Sequence, residues 1–197
     1  MLEMLDRISL TVGAPMAIKY VMDEYPERRM LYFKNAERER YMLMDITGGK
    51  QVLLSSDLQF NLLYDNEADT DIWDGFFELR YVTLDKDEQK VFNSLLDEWR
   101  LPSTRPAGLL RTIVGQKKHP RDGEYLLITI WDTKGAYLAW WKQPVTQNRF
   151  LQFEYSGGPG ALVKQYEQLT KDEIITEVNE ILAEEKEKDQ EEWQKNF

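Results

Sequence analysis

The chain has 197 residues, 42% of them hydrophobic and 12% aromatic, which suits one elaborated domain or two small ones around a proper core. It has no cysteine, which excludes disulfides, thiolate catalysis, iron–sulfur clusters and cysteine-held zinc. A formal charge of −10 argues against nucleic acid and anionic membrane as partners, because both are held by clustered Lys and Arg.

Residues 29–55, "RMLYFKNAERERYMLMDITGGKQVLLS", hold three apolar runs separated by a polar turn and by Gly48-Gly49. They predict a three-stranded meander and a β-rich amino-terminal part over 1–75. The acidic stretch "YDNEADTDIWDG" at 64–75 has neither a helical nor a strand period and reads as a link, with a boundary near Gly75. Its acids, Asp69 and Asp71 among them, read as solvated rather than as a catalytic pair. In "FFELRYVTL", 76–84, Phe77, Leu79 and Tyr81 alternate with Arg80 and polar neighbours, as in a half-buried strand. Asp85 and Glu88 form a capping-box pair, and Phe92, Leu95, Leu96 and Trp99 recur at helical spacing before Pro102.

Two β-rich runs follow, "GLLRTIVGQ" at 108–116 and "EYLLITIW" at 124–131, joined by the hairpin loop "KKHPRDG". The only histidine, His119, sits in that loop, where a base or metal ligand finds few partners. The carboxylates are scattered, so no dedicated metal site is expected. A helix from about Thr133 presents Tyr137, Trp140, Trp141 and Val145, with Pro144 kinking or ending it. The glycines of "SGGPG", 156–160, match no phosphate or dinucleotide loop and read as a turn before a last strand, "ALVKQYEQL". The order over 76–170 is β-α-β-β-α-β, the ferredoxin-like α+β arrangement. "TKDE" then caps an acidic helix over 171–197, with Ile174, Val178, Ile181 and Leu182 on one stripe. No internal repeat is evident.

Three tryptophans and a tyrosine crowd the segment "ITIWDTKGAYLAWW" at 128–141. Tyr137 and Trp141, four apart, make the natural core-facing pair of their helix. Trp140 points about 100° away and is expected to face a cleft or a partner. An indole at a cleft edge can stack a flat apolar ligand between this helix and the sheet.

A strand ending in Trp131, a short turn, then Lys134, Ala136, Tyr137 and Trp140 as "K-x-A-[FY]-x-x-W" resembles the antibiotic biosynthesis monooxygenase (ABM) superfamily. The nearest branches are the IsdG and HmoB-type haem-degrading monooxygenases and the staphylococcal TRAP protein, with similarity over residues 28–170. The resemblance implies a dimeric α/β-barrel-type domain, formed as a homodimer or, in one chain, as an intramolecular pseudo-dimer. In the haem-degrading branch a histidine holds haem, and an asparagine and a tryptophan support oxygen chemistry. Carried over, the tryptophan falls on Trp140, the histidine on Phe150 with Arg149 beside it, and the asparagine on Leu79. Phenylalanine and arginine cannot ligate iron, and leucine offers no hydrogen bond to bound oxygen.

Three functions follow as expectations. The first is a haem-binding or haem-degrading relative with a changed ligand set and Trp140 in the catalytic place. The second is a monooxygenase or binder of another flat apolar molecule, in a pocket made by Leu79, Trp131, Trp140, Arg149 and Phe150. The third is a non-catalytic interaction or stress protein whose acidic helix recruits a partner. No apolar run approaches the roughly 20 residues of a bilayer span, and the acids of "MLEMLDRISL" do not suit a secretory leader, so a cytoplasmic location is expected.

Overall fold

A computed structural model describes residues 5–35, 41–48, 58–101, 103–117, 123–146 and 162–195. The described residues form β1 (Arg7–Gly13), α1 (Pro15–Glu24), β2 (Met30–Asn35), β3 (Tyr41–Asp45), β4 (Leu58–Asp65) and β5 (Phe76–Thr83). Then come α2 (Lys86–Arg100), β6 (Leu109–Lys117), β7 (Glu124–Trp131), α3 (Lys134–Trp141), β8 (Leu162–Leu169) and α4 (Lys171–Lys195).

The strands close into an antiparallel barrel in the order β1-β3-β2-β8-β5-β7-β6-β4, with β4 pairing back onto β1. The ring is one pattern used twice. In β4-β1-β3-β2 and again in β8-β5-β7-β6, a half's fourth strand lies beside its first, followed by its third and second. That is the strand order of the ferredoxin-like unit. The halves meet at two antiparallel seams, β2 with β8 and β4 with β6.

The carboxy-terminal half has the order the sequence predicts, whereas the amino-terminal half needs correction. It opens with β1 and α1, which the apolar-run pattern missed. Pro15 starts α1, and Ile18, Val21 and Met22 are buried at i, i+3 and i+4. A structural repeat is therefore present where none is evident in the sequence. Of the predicted meander, β2 and β3 pair in register from Met30↔Asp45 to Lys34↔Tyr41, and the third run lies outside the described residues. The acidic stretch is not a simple link either. Tyr64 and Asp65 end β4, Asp65 forms a two-pronged ion pair with buried Arg111, and Glu67 pairs with Arg105.

Alternation along the strands separates two kinds of core. Phe77, Leu79 and Tyr81 of β5 and Leu126, Ile128 and Ile130 of β7 point into the barrel, where they meet Phe33, Phe60 and Ile113. On the outside of the carboxy-terminal half, α2 and α3 lay Phe92, Leu95, Leu96, Trp99, Tyr137 and Trp140 on Val82, Val114, Leu127 and Trp131. Outside the amino-terminal half, α1 and the start of α4 pack together through Ile18, Val21, Ile174 and Val178. Because helices cover its outer face, β5 is not half-buried as the alternation suggests. Every residue from Phe77 to Val82 is buried, Glu78 and Arg80 included. No helix among the described residues is long and apolar enough to cross a membrane.

Candidate functional site on the helix side of β5 and β7

Strand pairing places four polar side chains in one row across the covered face. Thr112 lies opposite Thr129, Thr129 opposite Glu78, and Glu78 opposite Gln165. Two residues along β5, Arg80 shares that face and pairs with Glu78, Nη2 to Oε1 at 2.6 Å. Their side chains are 3% and 1% exposed. The other carboxylate oxygen of Glu78 accepts the hydroxyl of Thr129 at 3.0 Å, and Thr129 in turn accepts the indole N–H of Trp131 at 2.9 Å. Among the described residues, the Thr112 hydroxyl is buried with no hydrogen-bond partner.

The α3 helix lies over this row. Thr133 caps it by accepting the N–H of Ala136, and just before β5 Gly75 lies against the backbone at the end of β7. A side chain on Gly75, which has φ of 143°, would strike the carbonyl of Trp131. Trp131 lies 4.9 Å from Trp140 and 5.8 Å from Tyr137, ring centre to ring centre, and Trp99 of α2 closes on Trp140 at 5.8 Å. On the other flank the guanidinium of Arg80 sits 4.5 Å from the ring centre of Trp141. The Tyr137 phenol is pushed up to about 12, mainly by burial, with the Glu78 charge adding to the rise. The Arg80 charge and hydrogen bonds from Gln165 and Arg80 partly offset it.

These positions reorder the sequence-derived candidates. Trp140 is 8% exposed and belongs to the aromatic stack, whereas Trp141 is the partly buried member, the reverse of the expected pairing. The outer edge of Trp140 still lines a groove of about 450 Å³ with Trp99, Thr104, Gly108 and Ala136. Leu79 points into the barrel, so the sheet separates it from Trp140 and it shares no pocket with that residue. Trp131 does join Trp140. Val145 is exposed beyond the end of α3 rather than part of its stripe. Arg149, Phe150, His119 and the "SGGPG" loop lie outside the described residues.

Sequence reasoning missed Glu78, Arg80, Thr129 and Gln165. The available signal was topological: a strand followed by an amphipathic crossover helix is covered on both faces, so charges two apart on it are buried together.

No histidine lies among the described residues of this face, and the positions the resemblance gives to the haem ligand, Arg149 and Phe150, lie outside them. Among the described residues, no three His, Asp or Glu are placed to hold a metal ion. The one phenol in the site, Tyr137, stays protonated far above neutral pH and is a poor iron ligand.

The described residues thus form an eight-stranded antiparallel barrel of two ferredoxin-like halves, with a buried ion pair beside an aromatic layer. Solved structures share that fold. One is a ferredoxin-fold protein related to antibiotic biosynthesis monooxygenases from Listeria monocytogenes, 17% identical, with a TM-score of 0.66 over 86% of this chain and 97% of that one. Another is the haem-degrading enzyme LmHde of the same organism, 16% identical, with a TM-score of 0.60 over 81% and 97%. A third is described as a major regulator of staphylococcal pathogenesis, 11% identical, with a TM-score of 0.62 over 83% and 99%. No protein-family model matches the sequence, and no curated protein matches it.

Proposed function

We propose that the protein is a monooxygenase-like member of the ABM group that receives a flat aromatic molecule on the helix side of β5 and β7, without haem as its resident cofactor. One observation carries this: the buried Glu78–Arg80 pair lies under Trp141 and beside Tyr137, next to the stacked Trp131 and Trp140. A buried ion pair is commonly less stabilising than apolar side chains of the same shape, so its presence points to chemistry rather than packing. The aromatic layer supplies stacking surface and excludes water, and the paired charges supply the few polar groups that orient a ligand. The fold shared with a monooxygenase-related protein and a haem-degrading enzyme supports the same class of work.

A substrate that itself reduces oxygen needs no metal in such a site. In that reaction a benzylic CH₂ becomes a carbonyl, one atom of O₂ enters the product and the other leaves as water. The test is oxygen uptake with a reduced polycyclic phenol such as dithranol. The expected result is consumption of one O₂ per substrate above the spontaneous rate, with quenching of tryptophan fluorescence. A parallel haemin titration is expected to give no saturable Soret shift. If neither dithranol nor haemin binds beyond a control protein, the ligand-binding role is lost. The alternative is then an interaction protein on the same fold, in line with the filled stack around Trp140 and with the regulator among the structural neighbours.

A further inference from the structure

A further cleft lies where the two halves meet along β4 and β6, on the flank of α2. Its volume is about 340 Å³, at the small end of the range that holds small molecules, and it shares no residue with the Glu78–Arg80 pair or the Trp131–Trp140 stack. A β-bulge shapes it. Leu62 pairs with Gly115 and Tyr64 with Val114, so Leu63 is the extra residue and stands exposed at one edge. Tyr64 turns toward α2, where its hydroxyl donates to the carbonyl of Leu96. The floor is apolar: Leu84, Phe92, Leu96 and Val114 are buried, and Tyr125 lies tilted against Phe92 with 6.4 Å between ring centres. Burial raises the Tyr125 phenol, and no charge or hydrogen bond among the described residues offsets the rise. The rim is an outer stripe of α2, with Asn93, Asp97 and Arg100 at helical spacing. Asp97 and Arg100 form an ion pair at 3.2 Å with side chains 65% and 64% exposed, and the Arg100 guanidinium rests 5.3 Å from the ring centre of Tyr64.

We propose that this cleft is a second binding site, for a free α-amino acid with a large apolar side chain. The rim sets one positive and one negative charge side by side over an apolar floor, and each simpler ligand leaves one of them unmatched. A plain carboxylic acid bound to Arg100 would face Asp97, and a plain amine bound to Asp97 would face Arg100. A zwitterion meets both. Neither rim side chain has to give up its partner: Asp97 meets Nε of Arg100, so the guanidinium keeps further N–H donors for a carboxylate and Asp97 keeps a second oxygen for an ammonium. The apolar side chain displaces water from the floor and packs on the Phe92–Tyr125 pair. This binding does not depend on the ligand assigned to the β5–β7 face.

The probes are phenylalanine, 3-phenylpropionate, which lacks the ammonium, phenethylamine, which lacks the carboxylate, and glycine, which lacks the side chain. Each is titrated calorimetrically at neutral pH into the parent, Arg100→Met and Asp97→Asn. The parent is expected to bind phenylalanine about tenfold more tightly than either single-charge analogue, and glycine not measurably. Arg100→Met should lose about tenfold for phenylalanine, weaken 3-phenylpropionate as well, and hold phenethylamine at least as well as the parent does. Asp97→Asn should do the reverse, weakening phenylalanine and phenethylamine and sparing 3-phenylpropionate. No binding of phenylalanine by the parent would overturn the site. Equal binding of phenylalanine and 3-phenylpropionate would make the ligand a plain carboxylic acid and overturn the zwitterion match. Phenylalanine binding that neither variant weakens would place the ligand away from α2 and overturn the assignment. Should either variant not fold, the ranking of the four probes by the parent decides the matter.

Discussion

Glu78 and Arg80 sit two apart on one strand face, so each is the main compensation for the other's buried charge. Glu78→Gln or Arg80→Met alone is expected to cost about 3–5 kcal/mol in urea unfolding, while the double variant should recover most of that loss. Additive losses would mean that the two do not act as a pair. Tyr137 gives a pH signature. Its folded-state value of about 12 exceeds the ordinary 10, so its contribution to stability is complete below pH 10 and disappears as the pH rises from 10 through 12. Tyr137→Phe should flatten the fall in thermal midpoint across that window, and an unchanged slope would assign the fall to other groups. The aromatic cluster itself was legible in the sequence, but its depth order was not. The 100° step between Trp140 and Trp141 fixes only their relative direction. The face that α3 buries is met by Trp99 from a different helix as well as by Trp131 of β7, contacts that local spacing does not show.

Among the elements, α2 was the most readable because its signals are local. Asp85 accepts from the backbone of Asp87 and Glu88, and Glu88 accepts from that of Asp85. Asp85→Ala should lower stability by about 1 kcal/mol, a fall of about 2–4 °C in thermal midpoint for a chain of this size. A similar reciprocal cap between Thr170 and Glu173 starts α4. Glu177, one turn further on, is held below the usual carboxylate range. Burial opposes this, but hydrogen bonds from Lys34 and Tyr41 and the Lys34 charge outweigh it. The described packed side chains of α4 run as far as Leu182, and those described from Ala183 to Gln190 are exposed. Amide exchange should therefore be slow from Ile174 to Leu182 and fast beyond, and uniform protection to Lys195 would require a further contact. By contrast, α1 was missed: the apolar-run pattern gave no weight to Pro15 as a start signal, and the face it buries is completed by α4, far along the chain.

At the scale of the whole molecule, two halves of matching strand order complete one barrel within a single chain. The second half follows from alternation, capping and spacing. The duplication does not, because the partner of α1 comes from the end of the chain and the two halves carry different side chains at matching places. We expect sedimentation at the mass of one chain, since the ring already closes through β2–β8 and β4–β6; a stable dimer would indicate an additional surface. Closure has one more consequence. Every described strand already has neighbours on both sides, so the described residues leave no backbone edge for an incoming peptide to extend the sheet. Adding a strand to this barrel, from a partner or a second copy, would first require one of its seams to open.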